Sequence, residues 1–347
     1  MLLIEFRDPL FSVIVFFTIT FVITFFSYWY KHYKKRESTR SIEEFMDQFH
    51  TLNSEDELKT LIETTFISDK SWLLMAQVYV KDGDYEKSIE IYQTLLKREQ
   101  DNNSRKEILL FLGKTYFKAG FLERSRDIFL EILKTYPKTP LALKFLLIVY
   151  ENLRQYQNAL DVIEPMQAQG INVNRDRDAI EAMKVTQELD VSMPQRCEKL
   201  LAIYNREKNS SYFIFAYLFR HNPTLAWENV DLSELERISD ILWNLDKEAC
   251  NFDIISNSVY LRELYGAKNY IELASSSSVF EFNILIQLNS CHSENQNDTT
   301  LTFEYLCTSC KEISPFIFHR CPHCHEIDTI LCEFTLVPKQ FESHYSF

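Results

Sequence analysis

Two pairs of cysteines near the end of the chain carry its most distinctive chemistry. Cys307-Thr308-Ser309-Cys310 is followed, after ten residues, by Cys321-Pro322-His323-Cys324. A C-x-x-C segment folds into a tight knuckle whose two sulfurs can share one ion, and ten residues suffice for a hairpin that brings a second knuckle opposite the first. Cys307, Cys310, Cys321 and Cys324 are therefore the expected ligands of a single iron or zinc ion. Tetrathiolate sites accept either metal, so the pattern does not choose between them. Four thiolates close the coordination sphere and leave no position for a substrate, which makes the metal structural. Two rival chemistries fit less well. Cys321-Pro322-His323-Cys324-His325 also has the C-x-x-C-H form of a c-type haem attachment site, but that would leave Cys307 and Cys310 without a role. A thioredoxin-like redox motif needs a βαβ context, and neither pair has one. His319, His323 and His325 are spare candidate ligands that four well-spaced thiolates make unnecessary.

The elements that must position these sulfurs are short strands. Phe303 and Tyr305 precede the first knuckle, Phe316, Ile317 and Phe318 lie between the two, and Ile330 and Phe334 follow. A unit of this size, 303–337, buries too little apolar surface to fold unaided, so its metal would contribute to the folding free energy. A polar stretch, 290–302, reads as a linker to it, and 338–347 as a tail.

The rest of the chain reads as helical. Only five glycines occur in 347 residues, against 46% hydrophobic residues, which disfavours a sheet-and-turn protein or a Rossmann-type enzyme. No G-x-S-x-G, P-loop or H-E-x-x-H motif is present, and the carboxylates fall on solvated helix faces, so no enzymatic activity is expected. A formal net charge of -13 opposes nucleic-acid binding, and the ribbon carries only Lys311 and Arg320 between its first and last cysteine. Cys197, Cys250, Cys291 and Cys332 are isolated, the distribution of free thiols in a reducing compartment.

A repeat emerges at a period near 34. Trp72, Met75, Ala76 and Tyr79, then Leu109, Leu112, Gly113 and Tyr116, then Leu143, Leu146, Leu147 and Tyr150 occupy the first-helix positions of a tetratricopeptide repeat. Second helices follow with Ser88, Tyr92 and Leu95; Ser125, Phe129 and Ile132; and Ala159, Ile163 and Met166. Gly83 and Gly120 fall at the same inter-helix turn. Three repeats thus span 69–168. Each hairpin has an apolar face that only a neighbour can cover, so such hairpins stack and offer a concave surface to a protein partner. Upstream, 31–68 holds a basic segment and a first helical pair with a capping-box pattern at Ser41. Downstream, 169–289 keeps a helical periodicity with blurred consensus and reads as degenerate helical repeats.

At the other end, no residue from Pro9 to Tyr30 is charged. Twenty-two residues rising ~1.5 Å each give about 33 Å, enough to cross a bilayer, so 1–30 reads as an uncleaved transmembrane anchor that contacts lipid through 9–30. Lys31, Lys34, Lys35, Arg36 and Arg40 follow the run and only Arg7 precedes it, which places the N-terminus outside and the body in the cytoplasm.

An anchor, cytoplasmic tetratricopeptide repeats and a terminal C-x-x-C, ten residues, C-x-x-C ribbon together resemble the lipopolysaccharide assembly protein B family (LapB, also called YciM) of Gram-negative bacteria. The likeness is closest in Ala119-Gly120-Phe121-Leu122-Glu123-Arg124, in Leu146-Leu147-Ile148-Val149-Tyr150 and in His319-Arg320-Cys321-Pro322-His323-Cys324. The resemblance implies an all-α tetratricopeptide-repeat superhelix with an N-terminal transmembrane helix and a small C-terminal rubredoxin-like metal ribbon ligated by Cys307, Cys310, Cys321 and Cys324. It also implies a single-pass inner-membrane adaptor, N-terminus periplasmic, that promotes degradation of the LpxC deacetylase by the FtsH protease and so regulates lipopolysaccharide synthesis. A membrane-tethered rubredoxin-like iron electron carrier is the alternative, a periplasmic haem-maturation protein a third reading, and homo-oligomerisation stays open. In two respects the sequence departs from the pattern: Asp176 to Leu288 is shorter and more degenerate than in the family, and the knuckles differ. Rubredoxin knuckles favour glycine after the second cysteine, for its positive φ, where this chain has Lys311 and His325.

Overall fold

The computed structural model describes residues 20–22, 25, 58–60, 62, 68–272, 277–291 and 299–338. The expected anchor over 9–30, apart from those four helical positions, most of the expected first helical pair, and residues 339–347 of the tail lie outside the described residues. Among the described residues no helix is long and apolar enough to cross a membrane. The chain divides into two compact units, Met1–Ile128 and Phe129–Phe347.

In the first unit, α1 (Asp69–Asp82), α2 (Tyr85–Arg98) and α3 (Asn102–Lys118) have their ends set by local chemistry. Ser68, Asp84 and Asp101 each accept a hydrogen bond from a backbone N–H of the first turn, meeting donors that a helix start leaves unpaired. Gly83 ends α1 at φ 84°, a conformation that would strain a residue with a Cβ. The repeat positions are all core. Trp72, Ala76 and Tyr79 pack with Ile91, Tyr92 and Leu95 and with Ile108, Leu112 and Tyr116, and Leu58 and Ile62 join them. Arg98 closes this core at its edge, donating to the Ile62 carbonyl at 2.6 Å. Ser125 Oγ donates to the Gly113 carbonyl at 2.9 Å, so the small residues of the second repeat meet through a hydrogen bond. Helix α4 (Leu122–Thr135) contains the boundary between the units.

The second unit begins with two further hairpins, α5 (Pro140–Asn152) with α6 (Tyr156–Ala168) and α7 (Asn174–Gln187) with α8 (Met193–Glu207). At the turn between α5 and α6, Arg154 takes φ 57°, the role glycine fills in the first two repeats. Beyond α8, within the region read as degenerate helical repeats, the helices become short. The chain forms α9 (Ser211–His221), α10 (Pro223–Asn229), α11 (Ser239–Trp243), α12 (Phe252–Asn257), α13 (Val259–Ala267) and α14 (Phe280–Cys291), with 3-10 turns at Leu235–Ile238 and Lys247–Ala249. Asn222, Asn251 and Ser258 cap new helices at short intervals, which is why apolar periodicity persists here without long elements.

A three-stranded antiparallel sheet in the order β2-β1-β3 completes the unit: β1 (Thr299–Cys307), β2 (Ile313–Ser314) and β3 (Ile330–Pro338). The first strand starts at Thr299, so Thr299 to Thr302, read above as linker, are strand. Pairing of Tyr305 with Cys332 and of Cys307 with Ile330 brings the end of β1 beside the start of β3. Leu301, Tyr305, Phe318, Ile330 and Cys332 share one core with Phe215, Leu218, Leu242, Leu264 and Phe282 of the helices. Apolar faces that neighbouring repeats would otherwise cover are here covered by the ribbon.

Candidate metal centre

The four predicted ligands converge. The sulfurs of Cys307, Cys310, Cys321 and Cys324 all lie within 4.8 Å of one another. Across the two knuckles, Cys307 Sγ is 3.7 Å from Cys324 Sγ and Cys310 Sγ 3.7 Å from Cys321 Sγ. A tetrahedron with metal–sulfur bonds of ~2.3 Å has edges of about 3.8 Å, so the donor set suits a tetrahedral ion of the size of zinc or iron. The cysteines are free rather than bridged.

Backbone geometry builds each knuckle. Lys311 N–H donates to the Cys307 carbonyl at 2.9 Å, and His325 N–H to the Cys321 carbonyl at 3.0 Å. Both turns need a left-handed residue, and Lys311 (φ 63°) and His325 (φ 60°) adopt that conformation despite their side chains. This directs N–H groups at sulfur. Burial alone would push the Cys307 thiol up, but hydrogen bonds from Cys310 N–H, the Thr329 hydroxyl and Ser309 N–H outweigh it and bring the thiol down to about 6. Thr329 Oγ1 lies 3.2 Å from Cys307 Sγ. Cys321 goes the other way: burial pushes it up to about 12 against the N–H groups of Cys324 and His323. One thiolate is thus stabilised by the protein, while its counterpart would need the charge of a cation.

Of the spare histidines, His323 is exposed, His319 sets its ring edge-on to Phe213 at 4.5 Å and His325 its ring edge-on to Phe145 at 5.7 Å. None belongs to the group of converging ligand atoms. Because the sulfurs of Cys321 and Cys324 face those of the first knuckle, the arrangement suits a shared ion rather than haem attachment.

Residues that motif reading did not single out fasten this site to the helices. Arg320, next to Cys321, has a side chain only 7% exposed. Its Nε donates to Glu151 of α5 at 2.8 Å, its Nη2 to Asp176 of α7 at 2.8 Å, and its Nη1 to the His325 carbonyl at 2.9 Å. Burial works against the guanidinium charge, yet the two carboxylates more than offset it and hold its pKa above the usual arginine value. Lys144 pairs with Glu326 at 2.5 Å, and the Ser210 N–H donates to Asp328 at 3.0 Å. Elsewhere along the ribbon, Asp240 of α11 accepts from Tyr305 of β1 at 2.9 Å and from Tyr212 of α9. Burial raises the Asp240 carboxyl pKa, against the two tyrosine hydrogen bonds. Arg320 was visible in sequence as one of only two Lys or Arg between the cysteines; Asp240 carried no signal.

Residues 69–102 match the tetratricopeptide repeat family model. Two Photosystem I assembly proteins Ycf3 are similar to part of the chain. The protein from Synechococcus sp. (strain CC9605) is 33% identical over 70 residues, 20% of this chain and 40% of its own length. That from Prochlorococcus marinus (strain NATL1A) is 34% identical over 70 residues, with the same coverage of 20% and 40%. This chain therefore spans well under half the length of the curated relatives it matches. Among solved structures, a tetratricopeptide repeat protein from Parabacteroides merdae ATCC 43184 is 16% identical, aligned over 64% of this chain and 98% of its own, with a TM-score of 0.39. The chain is mostly helical, matches a tetratricopeptide repeat over 69–102, and carries a cysteine cluster able to hold a metal ion. Chemically the cluster offers a closed tetrathiolate, a cross-link between two knuckles, and the residues that hold it in place are those that bind the ribbon to α5, α7, α9 and α11.

Proposed function

We propose that this protein is a membrane-anchored scaffold in which helical hairpins and metal ribbon form a docking body on the cytoplasmic side of the bacterial inner membrane. In this reading residues 9–30 cross the bilayer, the N-terminus is periplasmic, and the body promotes FtsH-dependent degradation of the LpxC deacetylase, which regulates lipopolysaccharide synthesis. The observation that carries the reading is the seating of the ribbon: Arg320, Asp240 and Asp328 link it to four helices, as suits a fixed part of a binding surface. Tethering to the membrane raises the effective concentration of such a surface near a membrane protease, so modest affinity for a client suffices. Similarity to proteins named for assembly roles is consistent with a protein that works by holding others.

In cells, Cys307→Ser with Cys310→Ser is expected to unfold the ribbon and to raise the level and lifetime of LpxC. Unchanged deacetylase turnover in a strain that makes the variant at parental levels would count against the proposal. One observation favours a second reading. Cys310 and Cys324 are only partly buried while N–H groups point at the sulfurs of their partners, an arrangement suited to an iron electron carrier. Red protein with reversible reduction at the iron would support that reading; colourless protein containing zinc would oppose it.

A further inference from the structure

A small cavity lies where the ribbon meets α7 and the start of α9. Its volume of about 20 Å³ has room for one water molecule and little more. Ala179 and Met183 of α7 and Phe213 of α9 form one side of its lining, and Ile327 and Ile330 of the ribbon the other. Into this apolar shell each side contributes one polar side chain, Ser210 from the helices and Asp328 from the ribbon.

Ser210 is 4% exposed, and among the described residues its buried Oγ has no hydrogen-bond partner. A hydroxyl in that position has given up its hydration with nothing in return. Asp328 is half matched: its Oδ2 accepts from the Ser210 N–H at 3.0 Å, whereas its Oδ1 has Arg237 Nη2 at 3.9 Å, beyond hydrogen-bond range. Polar groups at such a separation are often bridged by water. Both residues also hold left-handed backbone, Ser210 at φ 56° and Asp328 at φ 54°, which a Cβ disfavours. Two strained turns, one on each side of the junction, thus set two polar side chains on one cavity. The other polar groups of the lining are engaged elsewhere, the Tyr212 hydroxyl with Asp240 and the His319 ring against Phe213.

The occupant must accept from a hydroxyl and donate to a carboxylate. The charges of Arg237 and Arg175 already act on Asp328, which disfavours a metal cation, and the carboxylate itself disfavours an anion. We propose that this cavity holds one internal water, which accepts from the Ser210 hydroxyl and donates to Asp328, so that the start of α9 and the ribbon are joined through it. Because one of its two partners belongs to the ribbon, the water is held only while the ribbon is seated, whichever partner the scaffold serves.

The first test is a crystal structure of the zinc-loaded full chain in detergent, at a resolution that shows ordered water. One peak about 2.7–3.2 Å from both Ser210 Oγ and an Asp328 carboxylate oxygen is expected. The second test fills the cavity. Ala179→Val should expel the water and strand both polar groups, lowering the urea midpoint by roughly 0.5 M. In a Ser210→Ala background the same substitution should cost at most half as much, because one of the stranded groups is gone while any overpacking is unchanged. Magnetic relaxation dispersion of the water signal gives a reading that does not need the filled variant: Ser210→Ala should hold one long-lived water fewer than the parent. No peak at the site, a peak at the ~2.4 Å oxygen distances of a bound cation, or an equal count of long-lived waters would overturn the proposal. So would an Ala179→Val penalty equal in the two backgrounds, or an Ala179→Val chain more stable than the parent, as for an empty apolar cavity.

Discussion

Replacing Arg320 by Met removes the central polar contact between ribbon and helices while keeping most of the volume of the side chain. In the parent, Arg320 lies 2.7 Å from Glu151 and 2.8 Å from Asp176, and these side chains are 7%, 10% and 20% exposed. The variant leaves two largely buried carboxylates facing each other, with the His325 carbonyl also without its donor. Breaking a buried pair by removing one partner costs about 3–5 kcal/mol, mainly from the charge left behind. Asp176 keeps some access to water, so the lower end applies, about 3 kcal/mol. At 1.4 kcal/mol per factor of ten, that is on the order of a hundredfold in the equilibrium between seated and released ribbon. Two assays read this out: urea unfolding of the zinc-loaded chain, and the rate at which zinc passes to a chromogenic chelator, which should rise because the second knuckle borders Arg320. Adding Glu151→Gln and Asp176→Asn to Arg320→Met should recover most of the loss, since the penalty lies in unpaired charge. If Arg320→Met alone stays within about 0.5 kcal/mol of the parent and zinc release is unchanged, apolar packing rather than the ion-pair clamp holds the ribbon, and the reasoning is wrong.

Further outcomes follow from the same geometry. Stripping the metal should expose the amides of β1 and β3 to hydrogen exchange while α1 to α3 keep their protection; cobalt substitution should give thiolate-to-cobalt charge-transfer bands that Cys307→Ser weakens. Lys311→Gly should stabilise the zinc-loaded chain by ~0.5–1 kcal/mol in urea, because glycine adopts φ 63° without the Cβ penalty but loses more entropy on folding. His325→Gly should gain less, since it also loses the ring contact with Phe145. Burial raises the Asp240 carboxyl pKa in the folded chain, so the folded state favours the protonated form. Below the unfolded value of 3.8 that carboxyl costs nothing, and as pH rises from there through the folded value, stability is lost relative to an uncharged residue. Asp240→Asn should therefore gain on the parent as pH rises across that window and hold a constant difference above it; parallel urea curves for the two proteins from pH 3.5 to 7 would refute the assignment.

How much of this could be read from sequence differs by element, for physical reasons. The repeat positions from Trp72 to Met166 were legible because a helical hairpin buries the same few positions each time, and those are the buried ones. The knuckles were legible because ligand spacing is fixed by the size of the ion. Lys311 and His325 pointed to a conflict, and the structure answers it by keeping the glycine-like backbone with other side chains. What sequence did not reveal is the region after α8. Its apolar periodicity is real, but short helices capped at Asn222, Asn251 and Ser258 bury that face against β-strands, and periodicity says which face is buried without saying what covers it. Glu151, Asp176 and Asp240 read as surface carboxylates for the same reason: their partners are 144 to 169 residues away for Arg320, and 65 for Tyr305.

That long-range covering decides what kind of interface the ribbon makes. An apolar face alone would let a small sheet settle in several registers, since packing energy changes little over a small slide. Buried polar partners do not allow this, because each unmatched donor or acceptor costs the full desolvation of that group. Arg320 must meet two carboxylates and a knuckle carbonyl at once, while Asp240 must meet hydroxyls from a helix and a strand. Only one placement satisfies both. A metal held by the four sulfurs would fix the knuckles that carry Arg320, and Arg320 fixes the knuckles on the helices, so loss of either would loosen the ribbon on its helices. An ion closed off by four thiolates would therefore act through the rigidity of the ribbon rather than through chemistry at its own surface.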